Sequence, residues 1–195
     1  LSTLAPGQIR LRGVSRHFKL TLERSRTLKE TLLRRGRSSY REVWALRDVD
    51  LDVAPGTALG VVGANGAGKS TLLKMLAGIL PPDKGTIEVG GQVVSLLELG
   101  AGFHPDFTGR ENVILNASIH GMTRAEVDAR MDRIVEFSEL EGFIDAPVRT
   151  YSSGMYMRLG FAVAAELEPD VLLLDEVLAV GDAAFQSKCL ARIAQ

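Results

Sequence analysis

The stretch Gly63-Ala-Asn-Gly-Ala-Gly-Lys-Ser-Thr71 decides the fold of this 195-residue chain. It fits the pattern G-x-x-x-x-G-K-[ST], between an apolar run at 58–62, predicted as a strand, and a predicted helix at 70–80. Glycines let backbone N–H groups converge on phosphates at a helix N-terminus, Lys69 adds a mobile positive charge, and the Ser70 hydroxyl suits Mg²⁺. The pattern therefore predicts a site for ATP and Mg²⁺ built by Gly63, Ala64, Asn65, Gly66, Ala67, Gly68, Lys69, Ser70 and Thr71.

A second group of candidate residues ends the apolar run Val171-Leu-Leu-Leu-Asp175-Glu176. A buried strand that ends in two acids delivers carboxylates to the carboxyl edge of a sheet, where ligands of α/β proteins bind. Asp175 is placed to hold Mg²⁺, directly or through water. Glu176 is placed to polarise the water that attacks the γ-phosphate. Such a strand end is common by itself, and it becomes specific only in combination with the glycine loop.

A third stretch, Tyr151-Ser-Ser-Gly-Met155, precedes a predicted helix. Ser152 or Ser153 can cap that helix, and Gly154 allows a ligand to approach the backbone closely. Taken alone, this is an ordinary helix start.

Composition excludes several classes of protein. No apolar run approaches the roughly 18 residues that cross a bilayer, and one cysteine excludes an internal disulfide. Nine of the 23 Lys/Arg residues lie between Arg16 and Arg41, around a predicted amphipathic helix at 28–35. This basic segment predicts a nucleic-acid arm, a membrane-surface patch or simply a solvated helix.

The remaining elements follow from alternation and capping signals. Strands are predicted at 9–14 and 49–53, and a strand pair around Gly90-Gly91 at 86–94. Thr108 and Thr123 each precede a glutamate by three residues, which predicts two capping boxes. Asp182 is predicted to cap a last helix.

The order of these motifs resembles the nucleotide-binding domain of ABC transporters over nearly the whole chain. The resemblance implies an α/β P-loop NTPase fold with a mixed sheet core, an antiparallel β subdomain and a helical subdomain. It implies one domain over 1–195 that is incomplete at its C-terminus. Residues of about 1–107 and 168–195 would form the core with the β subdomain, and about 108–167 the helical subdomain.

The resemblance also assigns roles to single residues. Ser152, Ser153 and Gly154 would form the signature that faces the γ-phosphate held by a second copy, and Asp182 would be the D-loop aspartate. This signature departs from the usual Leu-Ser-Gly-Gly-Gln. The family's Mg²⁺-linking glutamine has no counterpart here, and Glu98 is the nearest polar candidate. The adenine-stacking aromatic is predicted as Tyr40 by counting back from Asp48, while counting from the first strand gives Phe18, and Trp44 is a third candidate.

Several stretches are similar to one branch, the ATPases of polysaccharide exporters. They are Ser95-Leu-Leu-Glu-Leu-Gly-Ala-Gly-Phe103, Thr108-Gly-Arg-Glu-Asn-Val113, the tyrosine-led signature and Leu178-Ala-Val-Gly-Asp182. This likeness implies a homodimer on the cytoplasmic face of the inner membrane, a membrane-spanning permease as partner and a lipid-linked glycan as substrate. No nucleic acid is expected. The basic helix would lie near anionic headgroups or the glycan's pyrophosphate.

The family's switch histidine lies some thirty residues beyond the catalytic glutamate, whereas this sequence ends 19 residues after Glu176. His17, His104 and His120 lie upstream and cannot replace it, so we expect a fragment of a longer protein with weakened γ-phosphate sensing. Two alternatives stay open at this point. They are a soluble ABC-type ATPase that acts on DNA or ribosomes, and a fragment that binds ATP without turnover.

Overall fold

The computed structural model describes residues 4–21, 40–98, 102–175 and 182–193. It divides into two compact units, one up to Gly90 and the other from Gly91. The predicted helix at 28–35 lies outside the described residues. The predicted division into core and helical subdomains is not tested by these two units and stays a prediction.

The first unit is built on a three-stranded antiparallel sheet. Its strands are β1 (Ile9–Thr21), β2 (Tyr40–Val53) and β3 (Lys84–Val89), in the order β2-β1-β3. Central β1 buries Ile9 and Leu11, as the alternating pattern predicts. Val14 is also completely buried although it is out of phase with Leu11, because the register shifts between these two residues. Register shifts after Leu11 and Val14 let β1 change course between its partners.

The first helix of this unit, α1 (Lys69–Leu76), follows the glycine loop and buries Leu72 and Met75. The prediction that it extends to residue 80 is wrong. Gly78 adopts φ +72°, and its N–H donates to the carbonyl of Met75 at 3.1 Å, which closes the helix end.

The predicted strand at 58–62 is also wrong, since these described residues join neither sheet. Leu59 and Val62 are exposed, with Val62 at 93%. An apolar run predicts burial, but a strand also requires a neighbour that accepts its backbone hydrogen bonds. The positions of such neighbours are not visible in the run itself.

The described part of the second unit contains a short parallel sheet and four α-helices. Strands β4 (Val93–Ser95) and β5 (Val171–Leu173) pair in parallel, followed by a 3-10 turn at Leu96–Glu98 after β4. The strand pair predicted around Gly90-Gly91 is therefore wrong, because β3 pairs with β1 and β4 with β5. Both strands exist, but their partners are distant in sequence, which a turn signal does not reveal.

The helices of this unit are α2 (Gly109–Ile119), α3 (Arg124–Ser138), α4 (Ser153–Ala165) and α5 (Ala183–Ile193). Both predicted capping boxes are confirmed, at Thr108 with Glu111 and at Thr123 with Glu126. The first three helices share one core, to which they contribute the buried side chains of Val113, Val127, Met131, Ile134, Leu159 and Val163. No described helix is long and apolar enough to span a bilayer.

Candidate functional site

The glycine loop folds as a tight turn that leads into α1. The Ala67 N–H donates to the Ala64 carbonyl at 3.1 Å, and the Leu72 N–H donates to the Gly68 carbonyl at 2.9 Å as the first helical bond. Gly66 and Gly68 have φ of +82° and +94°, a backbone conformation that residues other than glycine rarely adopt. The loop residues 63–67 are exposed to solvent. The first turn of α1 therefore presents its N-terminal end beside an open, glycine-lined loop, as an anion site requires.

Gly68 also fixes the loop against β2. A Cβ atom at this position would lie 2.3 Å from the Ala45 carbonyl oxygen and 3.1 Å from Leu46 Cδ2. The absent side chain thus allows α1 to begin in direct contact with the sheet. The glycine pattern reflects this packing as well as room for phosphates.

Lys69 lies across the loop it belongs to. Its Nζ donates to the carbonyl oxygens of Gly63 at 2.9 Å and Ala64 at 3.1 Å. The ammonium group is therefore held over the concave side of the turn, where it complements an anion. Ser70 follows on the first turn of α1 and is exposed.

The second unit brings two further candidates to one sheet edge. β4 and β5 run in parallel with Ser95 opposite Leu173, so position 98 and Asp175 both follow the carboxyl ends of their strands. This is the edge at which α/β sheets bind ligands. Asp175 is half-buried. Glu176, the predicted general base, lies outside the described residues.

The three aromatic candidates lie on the β1–β2 ribbon. Phe18 pairs with Val43, Trp44 packs against His17 with ring centroids 5.1 Å apart, and Tyr40 lies at the end of β2. Trp44 adjoins Ala45, the residue that contacts Gly68. Tyr40, the first residue of β2, lies five residues before Ala45, which is about 17 Å at strand spacing. The assignment of Tyr40 stays a prediction.

The predicted signature starts α4 as expected. Ser152 is the N-cap, and its Oγ accepts the Met155 N–H at 3.2 Å. Ser153 and Gly154 form the first turn, and among the described residues a Cβ on Gly154 would touch only the Ser152 hydroxyl, at 3.8 Å. The backbone at Gly154 is therefore open to a ligand. We call residues 151–155 the signature segment.

Tyr151 explains why a tyrosine leads this segment. Its hydroxyl donates to the Phe143 carbonyl at 2.8 Å, and a Cβ on Gly109 would lie 2.3 Å from the Tyr151 hydroxyl oxygen. Burial, together with the nearby Asp145 carboxylate, raises the pKa of the Tyr151 phenol, so it stays a donor at neutral pH. The side chain ties the signature segment to the turn before it and to the start of α2.

The signature segment opens on a cavity of about 340 Å³. Its walls come from the start of α4, the end of α3 and the residue before α5, and are formed by Glu139, Leu140, Phe143, Ser152, Gly154, Met155, Arg158 and Asp182. Asp182 caps α5 as predicted, since its Oδ1 accepts the Phe185 N–H at 2.9 Å. That hydrogen bond is the main cause that lowers the pKa of Asp182, and Arg158 adds to it.

Sequence reasoning missed Arg158, which bonds to Asp182 Oδ2 at 2.6 Å and to Glu139 Oε2 at 2.8 Å. A signal was present: Arg158 is the only charged residue of α4, whose other residues are apolar or small. A charged side chain on such a helix requires a partner.

The glycine loop thus belongs to the first unit, and Asp175, the signature segment and Asp182 belong to the second. Within the described residues, no three His, Cys, Asp or Glu side chains cluster as a metal cage. Mg²⁺ that arrives with a nucleotide needs only one or two protein oxygens besides phosphates and water. A serine hydroxyl on the first turn of α1 and a carboxylate at a sheet edge are donors of that kind.

Comparison with solved structures supports the fold. The chain superposes on the ATP-binding cassette MJ0796, solved as a dimer in a post-hydrolysis state with ADP and Pi, with a TM-score of 0.72 at 20% identity. The match covers 95% of this chain and 81% of that one. The predicted ABC-type α/β fold is therefore confirmed.

Among curated proteins, the chain is 56% identical over 172 residues to the O-antigen export system ATP-binding protein RfbB of Myxococcus xanthus, covering 86% of this chain and 39% of that protein. RfbB of Klebsiella pneumoniae is 56% identical, covering 78% of this chain and 62% of its own length. The teichoic acids export ATP-binding protein TagH of Enterococcus faecalis is 42% identical, covering 95% and 41%. The chain thus spans about two fifths to three fifths of these relatives.

A family comparison matches residues 46–179, from the middle of β2 to beyond Glu176, to the ABC transporter family. This range contains the glycine loop, the signature segment and Asp175. By this match, the chain belongs to the ABC transporter family.

Proposed function

We propose that this chain is the ATP-binding and ATP-hydrolysing part of a subunit that powers export of a lipid-linked polysaccharide. The observation that carries the proposal is the glycine loop, folded as an open anion cradle at the start of α1, in a chain 56% identical to an O-antigen export ATP-binding protein. The TagH relatives, named for teichoic acid export, share the same broader substrate class.

In this proposal, the residues of the loop bind and orient the triphosphate. Lys69 exchanges its contacts with the Gly63 and Ala64 carbonyls for phosphate oxygens, and the N-terminal amides of α1 face the same charge. Ser70 and Asp175, with Glu98 as a further candidate, hold Mg²⁺, which supplies positive charge to the phosphates when bound. Glu176 accepts a proton from the attacking water.

The signature segment acts in a second copy. Ser152 and Gly154 sit at the N-terminus of α4, where unpaired amides and the helix dipole favour an anion. We assign their anion to the γ-phosphate bound by the partner copy's loop, so that two copies enclose two ATP molecules. A symmetric, isologous dimer follows from this exchange.

The subunit would lie peripherally on the cytoplasmic face of the inner membrane, bound to a membrane-spanning permease. Relatives named for export systems support a permease partner. A role on nucleic acid has no support from any relative described above. The predicted helix of the basic segment, with Arg34, Arg35 and the nearby Arg37, lies outside the described residues, and its role near anionic headgroups or the glycan's pyrophosphate stays a prediction.

Release of γ-phosphate tests the enzymatic part. We expect Mg²⁺-dependent hydrolysis by the wild-type chain and a roughly 10²- to 10⁴-fold loss in Glu176→Gln, because the water loses its base. ATP affinity should persist in that variant. Lys69→Met should instead weaken ATP binding roughly 30- to 150-fold, since a charged hydrogen-bond donor to phosphate is lost.

Arg124→Met is the matched control, because this exposed arginine pairs with Asp128, one turn along α3, and with no other described residue. It should bind and hydrolyse ATP like the wild type. Equal background rates in wild type and Glu176→Gln, with ATP still bound, would leave a binding module rather than an ATPase.

A further inference from the structure

Arg158 occupies an unusual place for a charged residue. It lies on α4 among apolar and small residues, six positions after the N-cap Ser152, and its side chain is only 19% exposed. A guanidinium in such surroundings is stable only if carboxylates or carbonyls take up its donors. Its partners therefore show what the residue holds in place.

The two arms of the guanidinium reach two different helix ends. One terminal nitrogen lies 2.8 Å from Glu139 Oε2, at the end of α3, and the other 2.6 Å from Asp182 Oδ2, at the start of α5. Its central carbon lies 4.9 Å from the Phe185 ring centroid on α5. Arg158 thus joins the helix of the signature segment to the ends of two neighbours.

Asp182 is fixed by both of its oxygens. Oδ1 accepts the Phe185 N–H at 2.9 Å, while Oδ2 pairs with Arg158. The first bond orients the carboxylate relative to α5, and the second orients it relative to α4. Neither bond alone sets the distance between Asp182 and the signature segment.

Glu139 has a second cation and therefore does not depend on Arg158. Lys188 Nζ lies 3.4 Å from Glu139 Oε1 and donates to the Phe137 carbonyl at 3.0 Å. Loss of Arg158 leaves this link between α3 and α5 in place. The link from α4 to Asp182 is the contact that Arg158 itself supplies.

We propose that Arg158 is a positioning residue that holds Ser152, Gly154 and Asp182 as one rigid surface for the second copy. All four residues line the same cavity of about 340 Å³. When a second copy binds, the signature segment and Asp182 already lie in fixed positions relative to each other. Binding therefore does not have to order them. This inference rests on the proposed function.

The test combines Arg158→Met, Asp182→Asn and the double variant in one cycle. Methionine keeps the apolar stem of arginine but lacks the guanidinium group, and asparagine retains an oxygen that can cap α5. We expect each single variant to lower kcat about tenfold, because Asp182 is no longer held in a fixed position relative to the signature segment. ATP affinity should stay unchanged, because the glycine loop is not altered. The double variant should be no slower than the slower single one. Arg158→Lys, which reaches one carboxylate at a time, should recover part of kcat.

A merely structural role would lower the melting temperature but leave kcat normal well below it, and that result overturns the inference. The inference is also overturned if the fold losses of kcat in the two single variants multiply in the double variant. Should Arg158→Met fail to fold, Arg158→Lys and Asp182→Asn still decide, since both must lower kcat at unchanged ATP affinity. Absence of hydrolysis in the wild type overturns the proposed function and this inference together, whereas a wild-type rate in Arg158→Met overturns this inference alone.

Discussion

At the scale of single residues, some side chains make contacts that residue type alone does not predict. Tyr151 leads the signature segment, and its hydroxyl is bonded to the Phe143 carbonyl at 2.8 Å. We expect Tyr151→Phe to lower the free energy of unfolding by about 1 kcal/mol, because the hydrogen bond to the Phe143 carbonyl is lost while the ring packing is kept. Urea unfolding measures this. Tyr40→Phe, at an exposed position, is the control and should change stability by no more than a few tenths of a kcal/mol.

Cys189 shows the effect of burial on a titrating group. It packs with Phe161 and Phe185, and desolvation raises the pKa of its thiol to about 11 from 9.0. Because the pKa is higher in the folded state, the protonated thiol contributes to the stability of the fold. This contribution is fully present below pH 9 and is lost as the pH rises through 11. At pH 8 we expect the native thiol to react with a disulfide reagent about 100-fold more slowly than the unfolded chain in urea. Equal rates in both states contradict the burial of this thiol.

At the scale of elements, Asn112 attaches α2 to the loop before it. It is fully buried, its Oδ1 accepts the His104 N–H at 2.6 Å, and its Nδ2 lies near the carbonyls of His104, Phe107 and Thr108. We expect Asn112→Ala to lower the free energy of unfolding by about 3 kcal/mol, since a fully buried side chain loses its hydrogen bonds to the backbone of His104, Phe107 and Thr108 together. Thermal or urea unfolding measures the loss. Ser118→Ala, on the exposed side of the same helix, is the control and should lose no stability, because alanine has the higher helix propensity. An equal loss there would contradict the assignment of the Asn112 effect to its hydrogen bonds.

At the scale of the whole molecule, the proposed site is complete only when two copies meet. We expect Glu176→Gln to form a dimer with Mg²⁺ and ATP, because binding persists while hydrolysis stops. Light scattering should show twice the monomer mass with ATP and not with ADP. Glu176→Gln combined with Lys69→Met should stay monomeric, and a dimer in that double variant contradicts a nucleotide-dependent interface.

Much of the site followed from local signals. The glycine loop, the cap residues Thr108, Thr123 and Ser152, and the strand before Asp175 all depend on residues a few positions apart, which is the range that backbone conformation and capping impose. Errors arose where pairing decided the outcome. The run at 58–62 is apolar but joins no described strand, and β4 pairs with a strand some eighty residues away rather than with β3.

Short patterns of residue type are enough to predict a glycine loop of the ATP-binding type, the signature segment and the capped helices. The contacts of Gly68 with Ala45, of Tyr151 with Phe143, and of Arg158 with Glu139 and Asp182 are seen only in the folded chain. Such contacts depend on distances between elements far apart in the chain. They are set by how the helices and strands pack, which no local pattern records.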